Sequence, residues 1–452
     1  MNSNKEQNLG RVPHVRKLPF IYRCCNWIGR ITGTIILVPH LWKIGDRAEQ
    51  IYFGLLKARR EGKKLFILLP YELPWRFSYQ IVNREVTILN SEYRVSPSNV
   101  IPHIIGRVVI TLYFALSRSI SFLLKRLFQI ELNALHTAPS IGTYSLWQPE
   151  DQMPGFSWEV VDTYEWSKQL EKPLKITLTK QQKLNGELKR LEMGLPEDAW
   201  FFCLHVREDG FWNNQTGYRS ADIDNYIEAI KEVTSRGGWI VRMGDSTMKR
   251  LPLEMEHVID YPFTSVKSDL MDLYLVSKCQ AFLGTSSGLL EIATLFQRPI
   301  IMTNMFSWLW GFPPKEGDIG LLKHLYSKSR NRFLSIYEWV SEGSKANFYK
   351  DIQDDYILFE NDSEEIKTLV QEFLGRSDDW QPTSIQRKFS KYRAREGRIF
   401  IRDCEPMWED NFFETFVRYQ LASRLDSAIG VLGDEFLQRN WQSSVRHLSK
   451  ID

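Results

Sequence analysis

The sequence predicts an α/β protein with parallel sheets in two domains and a helical C-terminal extension. Three observations lead there. Short apolar runs end in glycine, charged or small-residue turns, as strands buried on both faces do. Amphipathic segments opened by helix-capping residues separate those runs, so strand and helix alternate, which favours parallel strands joined by right-handed crossovers. The chain has 452 residues, 43% of them hydrophobic and 13% aromatic, enough for two domains with separate cores.

Residues 1–33 form a basic segment that suits a membrane-proximal position. Residues 1–45 carry Lys5, Arg11, Arg16, Lys17, Arg23, Arg30 and Lys43 against Glu6 alone, interleaved with Phe20, Tyr22 and Trp27. Such a segment can lie on an anionic membrane surface. Charges interrupt its apolar stretch and no small-residue cleavage site follows, so it does not read as a cleavable signal peptide.

Residues 34–190 read as the first domain. A strand is expected over 34–38, a loop at Ile44-Gly45-Asp46-Arg47, a helix over 48–57 and a second strand over 65–69. Asp46, at the helix start, suits an N-cap first, with a general base or an acceptor contact as the other reading. Residues 104–128 include Arg107, Arg118, Lys125 and Arg126. Their longest uninterrupted apolar run, 108–116, is far below the roughly 18–20 residues a membrane span needs. A core helix and a membrane contact both account for it.

Residues 191–375 read as the second domain. The apolar run beginning at Trp200 ends in His205-Val206-Arg207-Glu208-Asp209-Gly210. Asp222 caps a helix that carries Ile223, Tyr226, Ile227 and Ile230 on one face, and Gly237-Gly238 ends it. A strand over 239–243 runs into Gly244-Asp245. A short strand over 258–261 and a helix over 269–277 follow. The run Phe282-Leu283-Gly284 then enters Thr285-Ser286-Ser287-Gly288 and a helix bearing Glu291. Pro299 precedes a strand that ends at Thr303-Asn304, which suits a cleft lining. Trp308, Trp310 and Phe312 suit stacking on a sugar or base, or plain loop packing. A capped amphipathic helix over 363–373 closes this domain. Residues 376–452 form the helical extension, expected to pack back on the first domain.

The chemistry concentrates at the carboxyl ends of the second domain's strands, where open α/β sheets bind ligands. The turn Thr285-Ser286-Ser287-Gly288 at a helix start offers unpaired backbone N–H groups to an anion. The planar guanidinium of Arg207 suits a pyrophosphate. Glu291, one helical turn in, suits ribose hydroxyls. His205, Arg242, Gly244 and Asp245 fall on the same sheet edge. Together these form a candidate nucleotide-phosphate site. Glu208 and Asp209 suit acid/base work, or orient Arg207. Turn chemistry and local ion pairs explain the same residue types without any ligand.

The run of residues 282–293, followed by Arg298-Pro299, resembles the donor-site turn of GT-B glycosyltransferases, heptosyltransferases in particular. Ser286 stands where that family has an aspartate, and Glu291 where it has a histidine. The His205-Val206-Arg207-Glu208-Asp209 strand end is similar to the first motif of the GDP-fucose fucosyltransferases, with Glu208 in place of a second arginine. Residues 198–304 as a whole resemble an uncharacterised bacterial family of glycosyltransferases. Shared residues include Tyr218-Arg219, Asp222, Gly237-Gly238-Trp239, Arg242, Asp245, Asp260-Tyr261 and Asp269.

The resemblance implies two Rossmann-like domains of the GT-B type, with an acceptor domain over 34–190 and a nucleotide-sugar domain over 191–375. It implies a hexosyl- or deoxyhexosyl-transferase of bacterial polysaccharide or lipopolysaccharide biosynthesis. The donor would be a nucleotide-diphosphate sugar, the acceptor a surface glycan or a lipid-linked one. Arg207, His205, Arg242, Gly244, Asp245, Thr285, Ser286, Ser287, Gly288 and Glu291 become donor-binding candidates. Asp209, Glu208 and Asp46 become candidates for the base. The alternative is a non-catalytic nucleotide- or glycan-binding module on a degenerate fold of that type.

No cofactor is expected beyond the nucleotide sugar as co-substrate. The histidines show no metal-ligand spacing, and metal-independent chemistry is expected, with Arg207 and helix-end N–H groups stabilising the leaving diphosphate. The five cysteines, Cys24, Cys25, Cys203, Cys279 and Cys404, suit a reducing compartment rather than a disulfide scaffold. The expected location is the cytoplasm, with peripheral contact at the inner face of the membrane. Nucleic acid is not expected as a partner, because the basic residues form no recognised binding signature.

Overall fold

The alternation of apolar and amphipathic segments becomes, in the computed structural model, parallel strand pairing in both halves of the chain. The structure describes residues 27–39, 41, 44–74, 82–94, 100–129, 174–208, 217–251, 255–306, 313, 315–343, 355–404 and 428–442. Two compact units divide it, residues 1–179 and 180–452.

In the first unit, β1 (Thr34–Leu37), α1 (Ile44–Arg60) and β2 (Lys64–Ile67) make one βαβ crossover. The strands pair in parallel, with Thr34 opposite Lys64 and Leu37 opposite Ile67. The helix starts earlier than expected, so Gly45 and Asp46 lie inside its first turn rather than in a loop before it. Arg47 shows why. It is fully buried, and its guanidinium donates to the backbone carbonyls of Leu41, Val82 and Asn83. Starting the helix at Ile44 lets Arg47 turn inward, where those carbonyls replace its water.

Residues 104–128 lie in one long helix, α2 (Ile101–Phe128), with proline in its first turn. Ile110 and Phe114 enter a core with Ile28, Ile36, Val38, Leu41, Phe66 and Leu68. His103 stacks on Phe66 at 3.7 Å. Gly106 lets the helix sit close, since a Cβ there would meet Leu68 at 3.4 Å and Ile28 at 3.0 Å. Among the described residues, the strand pairs of this unit are β1–β2 in parallel and a short antiparallel pair, Asn90–Ser91 with Ile176–Thr177, and an isolated parallel bridge joins Leu65 to Arg94.

The second unit opens with α3 (Lys180–Glu192), which packs against a later helix of the same unit. Then come β3 (Phe201–His205), α4 (Ile227–Ser235), β4 (Trp239–Arg242), β5 (Val258–Asp260), α5 (Asp269–Lys278), β6 (Ala281–Gly284), α6 (Gly288–Leu295), β7 (Ile300–Met305) and β8 (Ile319–Leu322). The closing elements are α7 (Ser363–Leu374), α8 (Ser384–Cys404), β9 (Val431–Leu432) and α9 (Asp434–Asn440). A small antiparallel sheet centred on His324–Ser327 lies between β8 and α7 in sequence.

Seven strands form one all-parallel sheet in the order β9-β8-β7-β6-β3-β4-β5. Its first strand in sequence, β3, is central: β4 and β5 extend the sheet one way, β6 to β9 the other. This is a doubly wound order, and the direction of growth reverses between β3 and β6. Phe201, Phe202, Cys203 and Leu204 on β3 are all buried, as a central parallel strand requires.

Helix boundaries follow local chemistry. Asp222 caps a 3₁₀ turn, Ile223–Tyr226, that leads into α4, and Gly237 leaves that helix at φ +79°. Asp362, not Ser363, caps α7, in a reciprocal box with Glu365. The described part of the C-terminal extension is built into the second unit. Here β9 extends the sheet beside β8, Gln386 donates to the Leu432 carbonyl at 2.8 Å, and the Asp434 N–H donates to Glu372 at 2.7 Å.

Candidate functional site

The switch point places two sequence motifs side by side. At its carboxyl end β3 runs into Val206-Arg207, and β6 runs into Thr285-Ser286-Ser287. The Thr285 N–H donates to the His205 carbonyl at 3.0 Å. The Arg207 N–H donates to Thr285 Oγ1 at 2.9 Å. The Ala221 N–H in turn donates to the Arg207 carbonyl at 3.0 Å. The backbone that carries the arginine is thus held from both sides.

Glycine makes this junction possible. Gly284 has φ +149°, and a Cβ there would lie 1.9 Å from the His205 carbonyl oxygen. Only a residue without a side chain lets the two strand ends meet. Past the turn, Ser287 caps α6, accepting from the Leu290 N–H at 3.3 Å. Thr285 is fully buried, whereas Ser286, Ser287, Gly288 and Glu291 are partly exposed. Of the four turn residues, then, Thr285 ties the strands together and Ser287 caps the helix. The first N–H groups of α6 open on the switch point, which favours an anion.

The carboxylates fall differently from expectation. Glu208 accepts from Arg242 Nη2 at 2.9 Å and from the Lys249 N–H at 2.7 Å. Asp260 takes the other side of Arg242, at 2.9 Å from Nη1, and also accepts from the Leu251 N–H at 3.1 Å. Arg242 itself has no exposed surface. It is a buried cation clamped between two carboxylates, joining the ends of β3, β4 and β5. It does not reach a ligand at the surface, and Glu208 is engaged as its partner. Asp245 accepts from the Thr247 N–H at 2.8 Å and shapes the turn after β4, where Gly244 has φ +147°. Asp209 lies outside the described residues, as do Trp308, Trp310 and Phe312. Asp46 sits on α1 in the first unit, and its side chain lies outside the described set.

His205 is buried, and its Nδ1 has no hydrogen-bond partner among the described residues. Burial pushes its pKa down to about 4, and the nearby cations Arg207 and Arg242 push the same way. The ring is therefore neutral at pH 7, unsuited to act as a cationic phosphate contact.

Several residues matter here that the sequence signals poorly. Asp260 is legible only as a strand-end acid. Thr303 and Asn304, expected in a cleft, are buried in a polar network instead. The Tyr226 hydroxyl lies 2.6 Å from Thr303 Oγ1 and accepts from Asn304 Nδ2 at 3.1 Å. Asn304 and Asn361 exchange side-chain and backbone hydrogen bonds at 2.7 and 2.8 Å. Asn304 has φ +54°, a conformation asparagine tolerates better than most residues. Asp222-Ile223-Asp224 has the Asp-x-Asp spacing of some metal sites. Its acids are used otherwise: Asp222 caps a helix, and Asp224 pairs with Lys249 at 2.9 Å. Among the described residues no group of three or more His, Cys, Asp or Glu is placed to hold a metal ion. Cys203 and Cys279 are free and buried, and burial raises the Cys203 thiol well above its usual range.

No protein-family model matches the chain, and no curated protein matches it in sequence. Among solved structures, Escherichia coli ADP-heptose lipopolysaccharide heptosyltransferase II is 15% identical over 59% of this chain and 83% of its own, with a TM-score of 0.32. A glycosyltransferase family 9 protein from Veillonella parvula is 10% identical over 59% of this chain and 79% of its own, with a TM-score of 0.33. E. coli heptosyltransferase WaaC, solved with ADP, is 12% identical over 64% of this chain and 90% of its own, with a TM-score of 0.33. Likeness this low leaves the function to the chain's own residues.

Proposed function

We propose that this protein is a glycosyltransferase that takes its sugar from a nucleotide-diphosphate donor bound at the carboxyl ends of β3 and β6. The reading rests on one observation above all: Arg207 and the N-terminus of α6 meet at the topological switch point of a doubly wound parallel sheet. Such a crevice is where this architecture binds nucleotides. The resemblance of residues 282–293 to the GT-B donor turn supports the same class.

In this reading the Arg207 guanidinium meets the diphosphate, and the first N–H groups of α6 meet a phosphate. Glu291 faces the ribose. Arg242, with Glu208 and Asp260, holds the strand ends in register behind them. His205 stays neutral and offers its ring nitrogen as a hydrogen-bonding group. With Glu208 committed to Arg242, the base that deprotonates an acceptor hydroxyl falls to Asp209 or to Asp46. The acceptor is a surface glycan or a lipid-linked one, and the chemistry is independent of metal.

The test is thermal stabilisation of the full chain by ADP, GDP and UDP and their sugar conjugates, with Arg207→Ala beside the wild type. Binding to the folded state raises the midpoint by mass action. A rise with one nucleotide, absent in Arg207→Ala, is the expected result. No rise with any of them defeats the proposal. The engagement of Glu208 also favours a second reading, a nucleotide-binding module without turnover. That module would show the same stabilisation yet never release nucleoside diphosphate from a nucleotide sugar, with or without acceptor.

A further inference from the structure

The outer face of α2 has no partner among the described residues. Ile101, Ile105, Leu112, Leu116, Leu123 and Leu127 are 51–70% exposed, on the side of the helix away from Ile110 and Phe114. A 28-residue helix is about 42 Å long. A continuous apolar stripe of that length is far more than the scattered leucines of an ordinary surface.

We infer that this face is a docking surface for an anionic lipid bilayer, with α2 lying in the plane of the membrane. Charge selects the occupant. The helix contains no Asp or Glu, whereas Arg107, Arg118, Lys125 and Arg126 are all basic. Arg126 is exposed at its C-terminal end, on the edge of the stripe beside Leu123. A second copy packed along the same stripe would leave Arg126, at the stripe's edge, with no carboxylate on either helix to meet it. A surface of anionic headgroups over acyl chains accepts both the leucines and the cations. The helix does not cross the bilayer: no helix of the described residues is long and apolar enough. Its inner face is also built into the core of the first unit, so crossing would mean unfolding that unit. Arg107 is tied to that body, with Nε donating to the Leu69 carbonyl at 3.0 Å and the guanidinium 4.0 Å from the Tyr71 ring.

The inference is independent of the proposed transferase activity, and so is its test. The full-length protein is sedimented with vesicles of phosphatidylcholine alone and of an equal mixture with phosphatidylglycerol. The wild type is expected to bind the mixed vesicles and to bind neutral ones weakly. Leu112→Glu with Leu116→Glu should weaken mixed-vesicle binding about tenfold or more without lowering the melting midpoint, because both side chains are already in solvent. Should that pair fail to fold, Arg126→Glu tests the same surface through its charge. Three outcomes overturn the inference: no binding to anionic vesicles, binding that neither variant weakens, or a dimer in solution that the leucine variant dissociates. Nucleotide binding is unchanged in every case, so a failure here says nothing against the donor site.

Discussion

Replacing Gly284 with alanine attacks the junction on which the proposed donor site stands. Two costs follow from the geometry. At φ +149° the backbone is in a region that side-chain-bearing residues avoid, a strain of about 1–3 kcal/mol. The new Cβ would also lie 1.9 Å from the His205 carbonyl oxygen, with the His205 carbonyl carbon 2.8 Å away. That contact is with backbone at the centre of the sheet, so β3 and β6 must separate, at a further cost of about 1–3 kcal/mol. The expected loss is therefore about 2–6 kcal/mol. Gly237→Ala is the control: its φ is +79°, but nothing lies within 4 Å of the added carbon, so it bears only strain of about 1 kcal/mol. Urea unfolding followed by circular dichroism measures both. Gly284→Ala should also lose nucleotide stabilisation under conditions where it remains folded, because Arg207 is hung from Thr285. A loss below about 1 kcal/mol, or one equal to that of Gly237→Ala, would show that the strand ends are not as closely apposed as described.

Arg242→Met strands Glu208 and Asp260 and should destabilise the second unit by about 3–5 kcal/mol; equal stability by urea titration would refute the clamp. Glu208→Gln should lower stability and leave the pH profile of turnover unmoved, since Glu208 serves Arg242; loss of the profile's acidic limb would restore it as the base. His205 titrates near 4 when folded and near 6.5 when free, so its neutral form favours the fold. That contribution is whole above the unfolded value and drains as pH falls toward the folded one, amounting to about 2 kcal/mol lost by pH 5. In His205→Gln this part of the pH dependence should vanish, as unfolding at pH 7 and pH 5 would reveal.

Local pattern was enough for the class of fold and for the two motifs of the proposed site. Buried runs such as 201–206 and 281–284 can be read from sequence because a strand covered on both faces needs an unbroken apolar stretch. Gly284 and the small residues after it are legible because a tight strand-to-helix turn tolerates little else. What each polar side chain does was not legible, because a hydrogen bond depends on where the chain brings its partner. Arg242 looks like a ligand arginine until Glu208, 34 positions back, and Asp260, 18 positions on, are seen to close around it. Thr303 and Asn304 look like cleft residues until Tyr226 and Asn361 reach them. Arg47 passed as a loop residue because nothing nearby in sequence announces the carbonyls of Val82 and Asn83. Sequence periodicity decides which face of a segment is apolar. Only the tertiary structure decides whether that face is covered, as it is on β3, or left bare, as on the outer side of α2.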